Sequence, residues 1–212
     1  MFVVTNREVH RRKGLGQFGK KPSSEGPNEI RLFDVVKDGR SWEVEALNDE
    51  LTKPQLRALI KKHHLPIDPD DGRHWYASLK VACDVAEQAR AEKKNILVFV
   101  HGFNNDVKDV MLAAKAVADL YQVIVLPFTW PADGGGASGT ASYRSDKRDA
   151  RASAGALDRL FLKAMEYLKL ITEAQRARLL EEANNKHPNN RVLADQLYAK
   201  LLNAECPFTI NL

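Results

Sequence analysis

Two unbroken apolar runs constrain this chain more than anything else in it. One is Ile96–Val100, inside NILVFVHGF; the other is VIVLPFTW, residues 123–130. Neither alternates with polar residues, so neither suits a strand with one wet face. Strands of a parallel sheet covered by helices on both faces read this way. Between the runs, DVKDVMLAAKAVADLY has helical spacing. After them come a Gly-rich loop, ADGGGASGTASY, and a helix expected over about residues 145–170. The last seven residues, CPFTINL (206–212), read as one more buried strand, with the β-favouring Phe208, Thr209 and Ile210. Strand, helix, strand, helix, strand predicts a mostly parallel sheet with right-handed crossovers.

The first half is built differently. MFVVTN reads as a short strand and residues 7–28 as a basic loop. IRLFDVV and SWEVEAL flank KDGR, a β-hairpin whose Trp42, Val44 and Ala46 share one face, with Asp38-Gly39 at the tip. LTKPQLRALIKKHHL is a helix with Thr52 as N-cap and Pro54 in its first turn. A turn-rich LPIDPDDGRH leads to a second helix over about residues 75–92. Residues 171–205 carry two helical patterns, Leu179, Leu180, Ala183 and then Val192, Leu193, Leu197, Leu201, split by NNKHPNN. They predict a helical hairpin inserted in a crossover, serving as a lid, a docking surface or padding. The whole is expected to be a single α/β domain, residues 1–212.

Composition narrows the function classes. The chain has 44% hydrophobic and 28% charged residues, and no apolar run reaches the 18 residues of a membrane span. The start, MFVVTNREVHRRKG, lacks the apolar stretch of a secretory signal. Cys83 and Cys206 have no CxxC spacing, which argues against a disulfide scaffold or a zinc ribbon. A cytosolic protein is expected. Residues 1–21 hold six bases against Glu8, while the rest holds 26 bases and 27 acids. A basic arm of that kind can touch nucleic acid, but with only Phe18 as an aromatic it reads first as solvated loop.

Three motifs fail on context. GLGQFG (14–19) has the letters of a dinucleotide fingerprint, but Lys20, Lys21, Pro22, Ser23 and Ser24 follow it in place of a helix. DPDDG (68–72) would need Gly and Glu where Arg73 and Leu79 stand to be a calcium loop. RASAG (151–155) lies within a helix and lacks the first Gly of a nucleophile elbow, so Ser153 is read as a helix-face serine. His63 and His64 share no helix face and have no carboxylate at ligand spacing. No metal and no cofactor is expected.

One motif survives. VFVHGFNND closes a parallel strand at His101-Gly102 and opens a helix, and open α/β sheets bind ligands beyond the carboxyl ends of their strands. Gly102 lets a substrate approach the backbone, and the N–H groups that follow are placed to meet a developing oxyanion.

Taken in order, HGFNN after an apolar strand, a helix, LPFTWPADG, then Tyr143 and Asp146 opening a helix with Ala152, Ser153 and Leu157 resemble a bacterial α/β-hydrolase family of esterase/lipase-like proteins (DUF900). VVTNR and the downstream FG add to it, so the blocks are residues 2–19 and 95–168. The resemblance implies an α/β-hydrolase-like fold. It implies an oxyanion hole at Gly102 and the Phe103 amide, with His101 supporting the loop. Asn104 and Asn105 would orient that loop or cap the helix near Asp106; Asn104, Trp130 and Tyr143 would line the substrate pocket. Asp146 reads simply as a charge at a helix N-terminus. In the family an apolar strand runs into an HSMG-type elbow, followed later by the acid and histidine of the triad. CPFTINL matches that strand, so a chain truncated before the nucleophile is expected, inactive alone, with 206–212 an edge open to a second chain or to self-association. The functions left are a serine esterase acting on a small-molecule or lipid ester, a catalytically dead binding or scaffold protein on the same fold, and, less favoured, a nucleic-acid-associated domain.

Overall fold

The computed structural model describes residues 1–132, 139–205 and 208–212, and of residues 139–145 the backbone alone. The described chain forms two compact units. One comprises Met1–Asp49, Lys94–Lys163 and Thr209–Leu212; the other comprises Glu50–Lys93 and Ala164–Phe208.

The first unit holds the sheet. Its strands are β1 (Phe2–Thr5), β4 (Arg31–Asp38), β5 (Ser41–Ala46), β6 (Ile96–Val100), β7 (Ile124–Thr129) and β8 (Ile210–Asn211), in the order β5-β4-β1-β7-β6-β8. The pairings β1-β7, β7-β6 and β6-β8 are parallel; β4 runs antiparallel to β1 and β5. A mostly parallel, mixed sheet with flanking helices is therefore what the two apolar runs predicted. They are apolar throughout because both sheet faces are covered. Val3 and Phe99 pack with Val107, Val110 and Met111 of helix α3 (Val107–Tyr121). Their chain neighbours Val4 and Val98 point the other way, to Ala156 and Leu160. The hairpin β4–β5 turns at Gly39, whose φ of 55° is the left-handed conformation expected of Asp-Gly.

Residues 7–28 depart from the expected basic loop. They contain β2 (Arg7–Val9) and β3 (Phe18–Pro22), paired antiparallel, with a 3-10 turn at Gly14–Gln17 between them. Arg7 is buried at 2% exposure, so it is not part of a solvated charge run. The GLGQFG segment leads into a strand and not into a helix, as its context required.

The second unit is helical. Helix α1 (Lys53–His63) starts with a reciprocal capping box, Thr52 with Gln55, and has Pro54 in its first turn. Its Leu56 and Leu59 pack with Leu79, Cys83 and Ala86 of α2 (Ala77–Glu92), together with Trp75, Tyr167, Ile171 and Ala174.

The expected helix over 145–170 is two helices, α4 (Gly139–Ala152) and α5 (Ala154–Lys186), parted at Ser153, whose hydroxyl bonds the Asp149 carbonyl at 2.7 Å. Residues 171–205 are also differently arranged. Nothing interrupts the chain near residue 170, because residues 156–186 contain no Gly or Pro, and α5 runs on for 33 residues. The break at NNKHPNN is real: α5 ends before Pro188, and Asn190 caps α6 (Arg191–Ala204) by accepting from the Leu193 amide at 3.1 Å.

Cys206 and Pro207 lie outside the described residues. The terminal strand is confined to Ile210–Asn211, opposite Ile96 and Leu97, and is exposed where a buried strand was expected. Two residues make too short a ladder to bury their side chains, and Phe208 packs instead against the helical core of the second unit.

Because Ile171 is 5% exposed within that core, Ile171→Ala is expected to cost about 2–5 kcal/mol in urea unfolding. A loss below ~0.5 kcal/mol would mean this part of the chain is padding.

Candidate functional site

Strands β1, β7 and β6 are adjacent and parallel, so their carboxyl ends share one edge of the sheet. At that edge the sequence turns from apolar to polar three times: Thr5-Asn6-Arg7, Thr129-Trp130 and His101-Gly102. These polar side chains are not in water. Thr5, Asn6 and Thr129 are fully buried, and Arg7 and His101 are 2% and 5% exposed. Buried polar groups are costly unless paired, and here nearly all are paired, Asn6 Oδ1 having no hydrogen-bond partner among the described residues. Arg7 donates from Nε to Thr129 Oγ1 (3.0 Å), and from its terminal nitrogens to the carbonyls of Gly19 (3.0 Å) and Ala132 (3.4 Å). Thr5 Oγ1 donates to the Thr129 carbonyl at 2.8 Å and accepts from the Arg7 amide at 3.0 Å. Asn6 donates to the Pro27 carbonyl and to Ser153 Oγ, both at 2.8 Å.

His101 closes the network on the β6 side. The Trp130 backbone N–H lies 3.2 Å from Nε2, and an amide can only donate. Nε2 therefore holds the lone pair, and Nδ1 carries the proton, donated to the Gly102 carbonyl at 2.8 Å. Thr129 Oγ1, 3.4 Å from Nε2, completes a relay from Arg7. The Trp130 ring stacks on the imidazole at 5.0 Å and 3°, and its indole N–H bonds the His101 carbonyl at 2.9 Å. Burial pushes the His101 pKa down to about 4, and the charge of Arg7 acts in the same direction. The imidazole is thus held neutral, with its lone pair turned to the Trp130 amide.

What it positions is the loop 101–106. The Gly102 carbonyl accepts from His101 Nδ1 and from Asn105 Nδ2 (3.3 Å), and the Phe103 carbonyl accepts from the same Asn105 amide (3.3 Å). A trans peptide is planar, with its C=O and N–H on opposite sides. Holding the Gly102 carbonyl toward the imidazole therefore sends the Phe103 N–H the other way. Asn104 takes a left-handed φ of 66°, which Asn tolerates, and its amide donates to Asp146 Oδ2 at 3.2 Å. Asp106 then caps α3 through a box with Asp109. Gly102 needs glycine neither for its own φ nor for packing. Among the described residues a Cβ there would meet only Asn105 Nδ2, at 3.8 Å.

The structure thus brings His101, Gly102, Phe103, Asn104, Asn105 and Trp130 together. Trp130 is 6% exposed and serves the loop from behind. The Tyr143 side chain lies outside the described residues. Asp146 is more than a helix-end charge: it is 1% exposed and holds the loop backbone. Thr5, Asn6, Arg7 and Thr129 belong to the site's support, and only the polar letters that end VVTNR after an apolar strand hinted at them. No described serine or cysteine hydrogen-bonds a histidine: Ser153 bonds Asn6 and Asp149, and Ser78 bonds Tyr167.

Residues 80–179 match a family described as alpha/beta hydrolase of unknown function (DUF900). The matched segment contains β6, the 101–106 loop, α3 and β7, so the resemblance drawn from those blocks is borne out there, and the sheet with its flanking helices agrees with an alpha/beta-hydrolase-like fold. Residues 2–19 fall outside the match. No curated protein and no solved structure matches the chain. No described helix is long and apolar enough to cross a membrane.

The His101 pKa sets a pH dependence. With a folded value of about 4 against about 6.5 unfolded, the unfolded chain binds more protons between those values. Stability from His101 is complete above pH ~6.5 and falls as pH drops toward 4, by roughly 2 kcal/mol at pH 5. Urea unfolding at pH 7 and pH 5 checks the sign, and His101→Gln should flatten the slope.

Proposed function

We propose that this chain carries the oxyanion loop of a serine-type carboxylic ester hydrolase. Phe103 N–H is the donor to the developing oxyanion, Gly102 leaves room for the acyl group, and His101, Asn105 and Asp146 position the loop. The observation that carries this reading is the doubly held Gly102 carbonyl, which orients the next N–H before any substrate arrives. Preorganised donors of this kind stabilise a tetrahedral intermediate without reorganising during the reaction. The position, just beyond a parallel strand and inside the segment that matches a hydrolase family, supports it further. The substrate in this reading is a small-molecule or lipid ester.

A second reading, a catalytically inactive binding protein on the same fold, is favoured by one observation: no described serine or cysteine is paired with a histidine. The nucleic-acid reading loses support, since Arg7, counted within the basic arm, is buried in the polar network.

The two leading readings separate under a fluorophosphonate probe applied to the protein. Labelling, with hydrolysis of p-nitrophenyl esters, is expected under the first reading and neither under the second. In the active protein Gly102→Val should lower turnover by about 100-fold, the order of one lost oxyanion donor. Turnover unchanged by Gly102→Val would remove the site from this loop; a protein that never labels would leave the binding reading.

A further inference from the structure

The helical unit holds a cluster unrelated to the 101–106 loop. His63 continues the buried face of α1, after Leu56 and Leu59. Asp84 and Glu87, about one turn apart, follow the inward-facing Cys83 on α2. A ring nitrogen of His63 and one carboxylate oxygen each from Asp84 and Glu87 lie within 4.8 Å of one another. His63 Nε2 is shut off from solvent with no hydrogen-bond partner among the described residues, although buried polar atoms are as a rule paired. We propose that His63, Asp84 and Glu87 form a binding site for a divalent transition-metal ion of the zinc class, with water completing the coordination.

The donor set selects the ion class. Calcium and magnesium prefer all-oxygen shells, whereas one imidazole and two carboxylates suit zinc and its neighbours. Metal–ligand bonds of about 2.0–2.2 Å place tetrahedral donors roughly 3.4 Å apart, so small side-chain rotations close the triangle. Two lysines already neighbour the acids: Lys62 Nζ is 2.6 Å from Glu87 Oε2, and Lys80 Nζ is 2.6 Å from Asp84 Oδ2. Each engages a single oxygen, leaving Glu87 Oε1 and Asp84 Oδ1. Both lysines are about half exposed, at 55% and 49%, and such pairs are weak enough to yield.

The test is calorimetric titration of the metal-free chain with zinc chloride, alongside His63→Ala and Asp84→Asn. One saturable site is expected, weakened in each variant by more than the roughly 10–100-fold that an outer-shell change costs. Circular dichroism without metal checks that each variant folds, and Glu87→Gln at the exposed ligand replaces either one that does not. Absence of saturable binding overturns the site. So does binding equal in wild type and variants, which would point to the surface pairs His10–Glu8 or His74–Glu50. A thiolate charge-transfer band with cobalt(II) would mean cysteine ligation, and overturns it as well.

Discussion

The contact from the Trp130 amide to His101 Nε2 ties β7 to β6 and fixes the state of everything around it. It decides which ring nitrogen holds the proton. That proton reaches the Gly102 carbonyl, and the Gly102 carbonyl sets the direction of the next peptide. From the other side, Arg7 and Thr129 supply the remaining polar partner of Nε2. Stranding one buried donor or acceptor costs about 1–3 kcal/mol. The members are therefore coupled: losing Thr129 Oγ1 would remove an acceptor of Arg7 Nε and the contact to the imidazole together.

This dependence explains why charged and aromatic groups sit at the end of an otherwise apolar sheet. A loop held only by packing would tolerate several conformations. Here the loop backbone is held from three directions: the imidazole below, the Asn105 side chain within, and Asp146 from α4. The left-handed turn at Asn104 is kept by the carboxylate that receives its amide. The rigidity is electrostatic, and its buried part around His101, Arg7 and Thr129 depends on excluding water from groups that would otherwise prefer it.

Local features were legible in the sequence. The Thr52 cap, the Asp-Gly hairpin tip, the paired strands and the helix between them are written within a few residues of where they act. The turn from β6 into α3 was legible too, because HGFNND sits directly after its strand. What could not be read is what depends on distant partners. Arg7 looked like one more charge in a basic arm, since nothing nearby reveals the carbonyls of Gly19 and Ala132 that bind it. Asp146 looked like a helix-end charge because its partner amide lies 42 residues away. His63 appeared to lack acidic neighbours for the same reason: Asp84 and Glu87 belong to another helix. The helix through residue 170 was misjudged on different grounds. The residues around position 170 all favour continuing the helix, and nothing local marks an end there.

The separation of these partners also orders events during synthesis. Of the sheet's strands β1 is made before β4 and β5, which follow by residue 46, so an antiparallel three-stranded piece can form early. Its β1 edge has no partner until β7 arrives, with Thr5 and Thr129 separated by 124 positions. At about 5–20 residues per second, that interval is on the order of ten seconds. Throughout it, Arg7 lacks the hydroxyl it will be buried against, and an apolar strand edge stays open to other nascent chains. A chaperone-free ribosome would thus feel the topology of this sheet as a delay, with β1 the segment most in need of shelter.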